Sequence, residues 1–213
     1  MNSFCVISNY RCGTSTFTMK LAEEYNVPYC GEIFNAGKPF PIGQAGRKAS
    51  KQAKLEQVLS GAQGAFKIFP NQCNYDMLKK MMLAADKTYY LYRRDFVAQT
   101  RSWVGMSQTG DYGKNGFIID PNRKASGING EYGETVKHRI KTNQSTVNQK
   151  VKQLKQNWEI IRKLYKELPQ FEVVCYEDHF KKTDWKPYNR EYTWVNGKLN
   201  FPEYDVESIF NGE

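Results

Sequence analysis

The stretch that decides the fold is residues 4–16, which have the sequence Phe4-Cys5-Val6-Ile7-Ser8-Asn9-Tyr10-Arg11-Cys12-Gly13-Thr14-Ser15-Thr16. Its first five residues are mostly apolar and predict a short buried strand. A polar turn containing Gly13 follows, and the run from Phe17 to Tyr25 has apolar residues at 17, 19, 21 and 22, which predicts a helix. A strand, a polar glycine-containing turn and a helix together form the outline of a phosphate-binding loop.

Beyond this stretch, predicted strands and helices alternate along the chain. Extended runs are predicted at 27–34, 65–69, 88–92 and 171–176, the last as an inner strand. The predicted helices are a lysine-rich one ending near Gly61, one over 74–85, one that follows the N-cap Asp95 to about Gln108, and one over 135–168, with a break near 143–146. This alternation predicts an α/β domain whose parallel strands are joined by right-handed crossovers.

Length and composition predict one compact domain over residues 1–213. The chain is 40% hydrophobic and 14% aromatic, which is enough to build a core and excludes disordered, collagen-like and coiled-coil chains. Residues 109–134 contain six of the 16 glycines and predict a lid-like loop. Residues 183–213 are predicted to form an aromatic C-terminal extension.

The chain is basic, with 31 Lys and Arg against 22 Asp and Glu and a formal net charge of +9. This surplus predicts attraction to an anion, which leaves nucleic acid, a membrane surface and a phosphorylated small molecule open. Residues 137–166 carry much of it, because Glu159 is the one acidic residue there against nine basic ones: Lys137, Arg139, Lys141, Lys150, Lys152, Lys155, Arg162, Lys163 and Lys166.

Cysteine usage and the N-terminus predict a soluble cytoplasmic protein. The five cysteines are odd in number and lack a Cys-x-x-Cys pair, which disfavours a disulfide framework and a zinc site and favours free thiols in a reducing compartment. The N-terminus has no basic region and too short an apolar run for a signal peptide, and no run approaches about 18 apolar residues. We therefore expect no membrane partner.

The turn from Arg11 to Thr16 has the residue types that bind an anion. Backbone N–H groups and the positive end of the helix dipole meet there, and Gly13 removes a Cβ where the backbone must come close. The hydroxyls of Thr14, Ser15 and Thr16 add donors, and Arg11 adds a permanent charge. The turn does not fit a P-loop of the NTPase kind, because Thr14 stands where the lysine belongs. An ordinary capped turn is the alternative.

A second group of candidate residues lies in residues 92–103, with the sequence Tyr-Arg-Arg-Asp-Phe-Val-Ala-Gln-Thr-Arg-Ser-Trp. Arg94 stands at a strand end and Ser102 lies eight residues later, two turns into the next helix. The two meet at one anion only if the arginine side chain reaches along the helix. The alternative is a solvated cluster of Arg93, Arg94 and Arg101.

Together the two segments resemble PAPS-dependent sulfotransferases, where PAPS is 3′-phosphoadenosine 5′-phosphosulfate. The closer resemblance is to the bacterial carbohydrate type that trehalose sulfotransferase exemplifies. In this family a Lys/Arg-x-Gly-Thr-Thr/Ser loop holds the 5′-phosphosulfate, and Arg11-Cys12-Gly13-Thr14-Ser15 fills that pattern. An arginine followed eight residues later by a serine holds the 3′-phosphate, and Arg94 and Ser102 have that spacing.

Further segments agree in order with the family, so that the resemblance covers roughly residues 4–180. These segments are Gly31-Glu32-Ile33-Phe34-Asn35, Phe66-Lys67-Ile68, Gln108-Thr109-Gly110 and Tyr176-Glu177-Asp178. The resemblance implies a P-loop NTPase-like three-layer α/β fold with a central parallel sheet flanked by helices. It also implies PAPS as co-substrate, PAP (3′-phosphoadenosine 5′-phosphate) as product, and no obligatory metal.

The resemblance also implies catalytic roles. Arg11 would neutralise the leaving phosphate, and since an arginine has a pKa above about 12, it supplies charge and hydrogen bonds rather than a proton. Glu32 follows the second strand and would be the base that takes the acceptor's proton. Lys67 would point towards the sulfuryl group or pair with Glu32. The alternatives are a surface or helix-capping carboxylate for Glu32 and a structural salt bridge for Lys67.

Other residues are candidates of lower rank. The 109–134 loop would supply Tyr112 and Phe117 for stacking, and Arg123 and Lys124 as further ligands of the 3′-phosphate. His138 and His179 are predicted to be solvated or structural rather than bases. In the C-terminal extension the aromatic residues would form an acceptor wall or a late hairpin packed on the sheet: Trp185, Tyr188, Tyr192 and Trp194.

Two other functions compete with this one. A P-loop-like kinase of nucleotides or small metabolites lacks its lysine and a clear carboxylate for magnesium after a strand. A nucleic-acid-binding protein would use the basic 137–166 segment, but no nucleic-acid fold motif accompanies it. The expected partner is thus a small-molecule or carbohydrate acceptor, and the chain is short for this group, so its acceptor pocket is either reduced or shared in a homodimer.

Overall fold

The structure is a computed structural model that describes residues 3–34, 50–109, 135–181, 189–195 and 197–211. Among these residues the strands are β1 (Ser3–Ser8), β2 (Tyr29–Glu32), β3 (Gly64–Ile68), β4 (Lys87–Tyr92), β5 (Thr135–Ile140), β6 (Glu172–Cys175) and β7 (Asn189–Trp194). The helices are α1 (Thr14–Glu24), α2 (Lys51–Leu59), α3 (Tyr75–Ala84), α4 (Phe96–Thr109), α5 (Gln144–Glu167) and α6 (Tyr176–Lys181). Short 3-10 turns lie at Pro70–Gln72 and Glu207–Ile209.

Five strands form a parallel sheet in the order β2-β3-β1-β4-β6. β1 lies at its centre and every one of its six residues is buried, as the apolar run at the N-terminus predicts. Helices flank the sheet, so the prediction of an α/β domain built on a central parallel sheet is confirmed. The prediction of an inner strand over 171–176 is wrong, because β6 stands at the edge of this five-stranded sheet.

α5 is the long helix that closes the core on one side. Its buried residues recur every three or four positions, as an amphipathic helix requires: Val147, Val151, Leu154, Asn157, Trp158, Ile161 and Leu164. Trp158 is fully buried and donates from Nε1 to Gln99 Oε1 on α4, 3.4 Å away. In the ranges that the structure describes, no helix combines the length and the apolar character needed to cross a membrane.

The prediction of one helical stretch over 135–168 is wrong for its first part. Residues 135–140 form β5, which pairs in parallel with β7 in a separate two-stranded sheet. The helix begins only after Asn143, whose Oδ1 accepts a hydrogen bond from Thr146 N at 2.9 Å. β-branched residues at 135, 136 and 140 favour a strand, but the partner that stabilises it lies about 50 residues later. The nine basic residues of 137–166 therefore do not share one helix.

The aromatic C-terminal extension packs on α4 through β7. Gly105 lies in α4 directly against the ring of Tyr192, and a Cβ at position 105 would overlap that ring. Trp194 in turn packs on Phe201, with 5.2 Å between the ring centroids. β7 is parallel to β5 rather than antiparallel to a neighbouring strand, so this part of the extension is not a hairpin.

The contact between Gly105 and Tyr192 predicts that Gly105→Ala destabilises the protein. In a solvent-exposed helix this substitution stabilises by about 1 kcal/mol, because alanine has the higher helix propensity. Here overlap with the ring should reverse the sign and cost about 1–3 kcal/mol in urea unfolding. In a Tyr192→Ala background the cost should disappear. A gain in stability on the wild-type background would contradict the packing of β7 on α4.

Candidate functional site

The candidate ligand site of this sheet lies at the carboxyl ends of β1 and β4. β1 and β4 are neighbours, but the chain leaves β1 towards β2 on one side and leaves β4 towards β6 on the other. Where the connections after two neighbouring strands run to opposite sides, a crevice forms at the carboxyl ends of these strands. Ligands of open α/β folds bind in such a crevice. Residues 9–13 follow β1 at this crevice, and residues 93–95 follow β4.

The loop after β1 has a conformation suited to an anion. Both Arg11 (φ 64°) and Gly13 (φ 72°) lie in the left-handed region, which glycine adopts freely and arginine only at a cost. α1 begins at Thr14 with no side chain capping its N-terminus. Alternating left-handed residues next to a helix N-terminus turn backbone N–H groups towards a shared concavity. An anion at this point would supply the missing cap.

Buried amide side chains hold this loop in place. Asn9 is fully buried, donates to Leu154 O at 2.7 Å, and accepts from Tyr10 N at 2.9 Å and Asn157 Nδ2 at 3.0 Å. Gln99 is also fully buried and donates to Tyr10 O at 2.6 Å. The backbone on both sides of Tyr10 is therefore tied to α4 and α5.

The structure joins the two sequence motifs through Arg11 and Ser102. Arg11 Nε donates to Ser102 Oγ at 2.8 Å, across 91 residues of sequence. The neighbouring residues reinforce this contact, because the rings of Tyr10 and Trp103 stack with centroids 4.1 Å apart and planes 4° from parallel. An arginine and a serine hydroxyl thus lie side by side next to the N-terminus of α1.

Glu32 and Lys67 form an ion pair at the adjacent strand ends. The parallel register places Glu32 of β2 opposite Lys67 of β3, and Lys67 Nζ lies 3.3 Å from Glu32 Oε1. Their side chains are 19% and 7% exposed. Lys67 Nζ also donates to Ser15 Oγ in the first turn of α1. The pairing of Lys67 with Glu32 is therefore present, and Ser15 connects this pair to the loop after β1.

Gln72 and Tyr29 complete this cluster. Gln72 Nε2 donates to Glu32 Oε2 at 3.0 Å. The Tyr29 hydroxyl interacts with Ser15, and burial raises the pKa of Tyr29 to about 12, so this phenol stays protonated near neutral pH. The polar groups that lie close together at the carboxyl edge of β2 and β3 are therefore the Glu32 carboxylate, the Lys67 ammonium and the hydroxyls of Ser15 and Tyr29.

Cys12 lies inside the loop as a neutral group. It is fully buried, and burial raises the pKa of its thiol to about 12, although the charge of Arg93 acts in the opposite direction. The buried Thr14 hydroxyl shares a short hydrogen bond with Ser8, while Ser15 and Thr16 are partly exposed. The loop therefore brings no negative charge of its own to a bound anion.

The structure does not bring Arg94 to Ser102. Arg94 is 44% exposed, and its guanidinium contacts Asp178 Oδ2 at 2.8 Å and Glu207 Oε2 at 3.1 Å. Its neighbour Arg93 contacts the loop instead, because it donates to Arg11 O at 3.3 Å, and it also lies over the ring of Tyr176. The role of Arg94 at a phosphate remains a prediction.

Several predicted residues fall outside the described residues, namely Tyr112, Phe117, Arg123, Lys124, Trp185 and Tyr188. His138 lies in β5. His179 packs edge-on against Phe17 with ring centroids 4.9 Å apart, and burial lowers its pKa. This packing agrees with a structural role for His179.

Sequence reasoning missed Asn9, Gln99, Gln72 and Arg93. The first two are buried amides whose partners lie on other elements, and nothing in the linear sequence marks them. Gln72 follows β3 just after Pro70, at the same sheet edge as Glu32. This position in the sequence could have identified it as a candidate site residue. Arg93 adjoins Arg94, so the Arg-Arg pair signalled the place but not which side chain reaches the loop.

No known protein-family model matches this chain, and no curated protein matches its sequence. Within the described ranges, no three His, Cys, Asp or Glu side chains cluster in a way that would hold a metal ion. The expectation that no metal is required stays a prediction. The assignment of a function therefore depends on the geometry of the site and on the motif resemblance.

Glu177 ties the end of β4 to α6 and should make stability depend on pH. It accepts from Arg94 N at 3.0 Å and Asp95 N at 3.1 Å. Burial alone would raise the pKa of the Glu177 carboxyl, but hydrogen bonds from these and neighbouring amides outweigh burial and lower it. Because the folded-state pKa is depressed, the stabilisation is present above the unfolded pKa of about 4.3 and is lost as the pH falls through the folded-state pKa.

Glu177→Gln should therefore reduce the free energy of unfolding by about 1–3 kcal/mol at pH 7. The difference from wild type should shrink when the urea unfolding is repeated below about pH 4. Glu23→Gln, at an exposed position on α1, serves as the matched control. An equal difference at pH 3 and pH 7 would show that the charge of Glu177 is not the stabilising element.

Proposed function

We propose that the chain is a PAPS-dependent sulfotransferase that moves a sulfuryl group to an acceptor hydroxyl. The observation that carries the proposal is the 2.8 Å contact between Arg11 Nε and Ser102 Oγ. These two residues belong to the two motifs that the resemblance assigns to the two ends of PAPS, and they lie 91 residues apart in the chain. Their meeting at the loop after β1 supports a single site for a doubly phosphorylated nucleotide.

The loop would bind the 5′-phosphosulfate. Its uncapped helix N-terminus, the left-handed residues at 11 and 13, and the Arg11 guanidinium all favour a tetrahedral anion. In an in-line transfer, the bond from sulfur to the phosphate oxygen breaks and its electron pair leaves with PAP. Preorganised positive charge at that oxygen lowers the barrier, which is the role we assign to Arg11.

Glu32 would accept the proton that the acceptor hydroxyl loses as its oxygen bonds to sulfur. Its carboxylate is 19% exposed, so a substrate can reach it, and Lys67 connects it to Ser15 of the loop. One lysine of β3 therefore contacts both the proposed base and the loop. Such a placement favours a hydroxyl positioned between the sulfuryl group and the base.

Arg94 would hold the 3′-phosphate only after exchanging its present partners. Asp178 and Glu207 both contact its guanidinium, so the local charge of the three groups is one negative unit. A phosphate that arrives there must displace these carboxylates. We therefore expect Arg94→Ala to weaken nucleotide binding less than Arg11→Ala does.

The basic residues of α5 offer no comparable support for a nucleic-acid interface. Three of its lysines lie over aromatic rings of the protein, with 5.1 Å from Lys150 to Trp103, 5.1 Å from Lys155 to Tyr204 and 4.1 Å from Lys163 to Tyr75. Side chains used in this way cover apolar surface as well as carrying charge. The thermal-shift experiment with PAP therefore distinguishes the proposed function from a kinase and from a nucleic-acid-binding protein.

Without magnesium, PAP should stabilise the wild-type protein against heat. At 100 times its dissociation constant a ligand adds about 2.7 kcal/mol, which corresponds to a rise in Tm of roughly 5–10 °C for a chain of this size. Arg11→Ala should remove most of this shift because it removes the cation at the loop. Arg101→Ala, at an exposed position of the same helix as Ser102, is the control and should keep the shift.

Two results would overturn the proposal. A shift with ATP and magnesium but none with PAP would favour a kinase. Strongly salt-dependent binding of oligonucleotides, again without a PAP response, would favour a nucleic-acid-binding protein.

Glu32→Gln should leave the PAP shift largely intact and reduce turnover by roughly 10²- to 10⁴-fold, because the amide cannot accept the proton. Turnover is measured with radiolabelled PAPS and a cell extract, followed by identification of the labelled product. Full activity of Glu32→Gln on that product's acceptor would show that another group is the base.

A further inference from the structure

The turn Pro70–Gln72 contacts both halves of the site. Asn71 Oδ1 accepts from the Tyr10 hydroxyl at 2.7 Å, and Tyr10 immediately precedes Arg11 in the anion-binding loop. Gln72 Nε2 donates to Glu32 Oε2 at 3.0 Å. Two consecutive residues therefore touch the loop on one side and the carboxylate on the other, so the turn links their positions.

The hydrogen bonds at Gln72 decide which way its amide points. Gln72 Oε1 accepts from Phe69 N at 3.1 Å, and only the oxygen end of the amide can accept that hydrogen bond. The nitrogen end then donates to Glu32 Oε2, 3.0 Å away. Both ends of the amide are therefore satisfied in this one orientation.

The backbone beneath Gln72 is also held. Gln72 N donates to Phe69 O at 3.0 Å, Pro70 is buried, and Lys51 Nζ of α2 donates to Gln72 O. A side chain fixed at both ends on a braced turn can orient a partner without moving itself.

Lys67 and Gln72 contact different oxygens of the Glu32 carboxylate. The Lys67 ammonium lies 3.3 Å from Oε1 and also donates to Ser15 Oγ, and an ammonium has no preferred donor plane. Gln72 Nε2 contacts Oε2, 3.0 Å away. Contacts at two different oxygens restrict the plane of a carboxylate more than a contact at one oxygen does.

We propose that Gln72 is a positioning residue, which aims the Glu32 carboxylate at the acceptor hydroxyl. The inference rests on the proposed function, in which Glu32 is the base. In this proposal Gln72 contacts neither the acceptor nor the nucleotide and acts through its hydrogen bond to Glu32. Gln72 sets the direction in which the Glu32 carboxylate faces the acceptor hydroxyl.

The decisive variant is Gln72→Glu, which has the same shape. It keeps the oxygen that accepts from Phe69 N, and thus the structural role, but it replaces the donor to Glu32 by a second carboxylate. We expect kcat with labelled PAPS and the acceptor fraction of a cell extract to fall about 10- to 100-fold, since misplacement by about 1 Å costs that much. The KM for PAPS and the thermal shift with PAP should change less than twofold.

The pH profile separates positioning from a merely structural role. A carboxylate at position 72 disfavours ionisation of its neighbour, so the acid limb of the kcat profile should move to higher pH. Gln72→Leu should also lower kcat, while Gln52→Leu, the same substitution at an exposed site of α2, should leave it unchanged. An unaltered kcat in Gln72→Glu would overturn the proposal, as would a loss of kcat with an unmoved acid limb.

A crystal structure of Gln72→Leu tests the positioning without any activity. If Glu32 keeps its place and its plane, Gln72 does not orient it and the inference fails even when the protein is a sulfotransferase. If the carboxylate rotates but wild-type protein transfers no sulfuryl group and ignores PAP, the proposed function fails and the structural part of the inference survives.

Discussion

The site depends on a set of buried amides that hold the loop after β1. Asn9 uses both its donor and its acceptor groups, and Gln99 fixes the carbonyl of Tyr10. The left-handed conformation of Arg11 costs about 1–2 kcal/mol, and hydrogen bonds to buried partners offset it. If Asn9 were lost, Asn157 would remain buried without its acceptor. The geometry of the loop is therefore a property of the core, because α4 and α5 hold it through buried side chains.

The local parts of this arrangement could be predicted from the sequence, since they depend on neighbouring residues. A buried apolar run, a glycine-containing turn and an amphipathic run specify β1, the loop and α1, and Glu32 and Lys67 follow from strands that end at one edge. Long-range pairing could not be predicted in the same way. The β-branched residues at 135, 136 and 140 favour a strand locally, but the strand that pairs with β5 is β7, which lies about 50 residues later in the chain. Arg94 and Ser102 have the spacing of a phosphate site, but carboxylates brought by α6 and by Glu207 decide where the guanidinium points.

The basic residues that give the chain its net charge of +9 have different roles. Some cations stabilise the fold, as where lysines of α5 lie over aromatic rings or Arg94 joins α6 to the C-terminal segment. Others lie around the loop after β1, where Arg11 contacts Ser102 and Lys67 pairs with Glu32. Total charge therefore predicts an anionic ligand only in a general way, and the positions of the individual cations decide where the proposed ligand would bind.

The buried Cys12 thiol has a consequence for the chemistry of the loop. Oxidants, alkylating reagents and disulfides react with the thiolate, and burial raises the pKa of the Cys12 thiol to about 12, which disfavours the thiolate near neutral pH. Burial also keeps reagents away from the sulfur atom while the loop is in place. A thiol reagent reaches Cys12 only when the loop detaches from α4 and α5. The rate of its modification thus reports the opening of the loop itself.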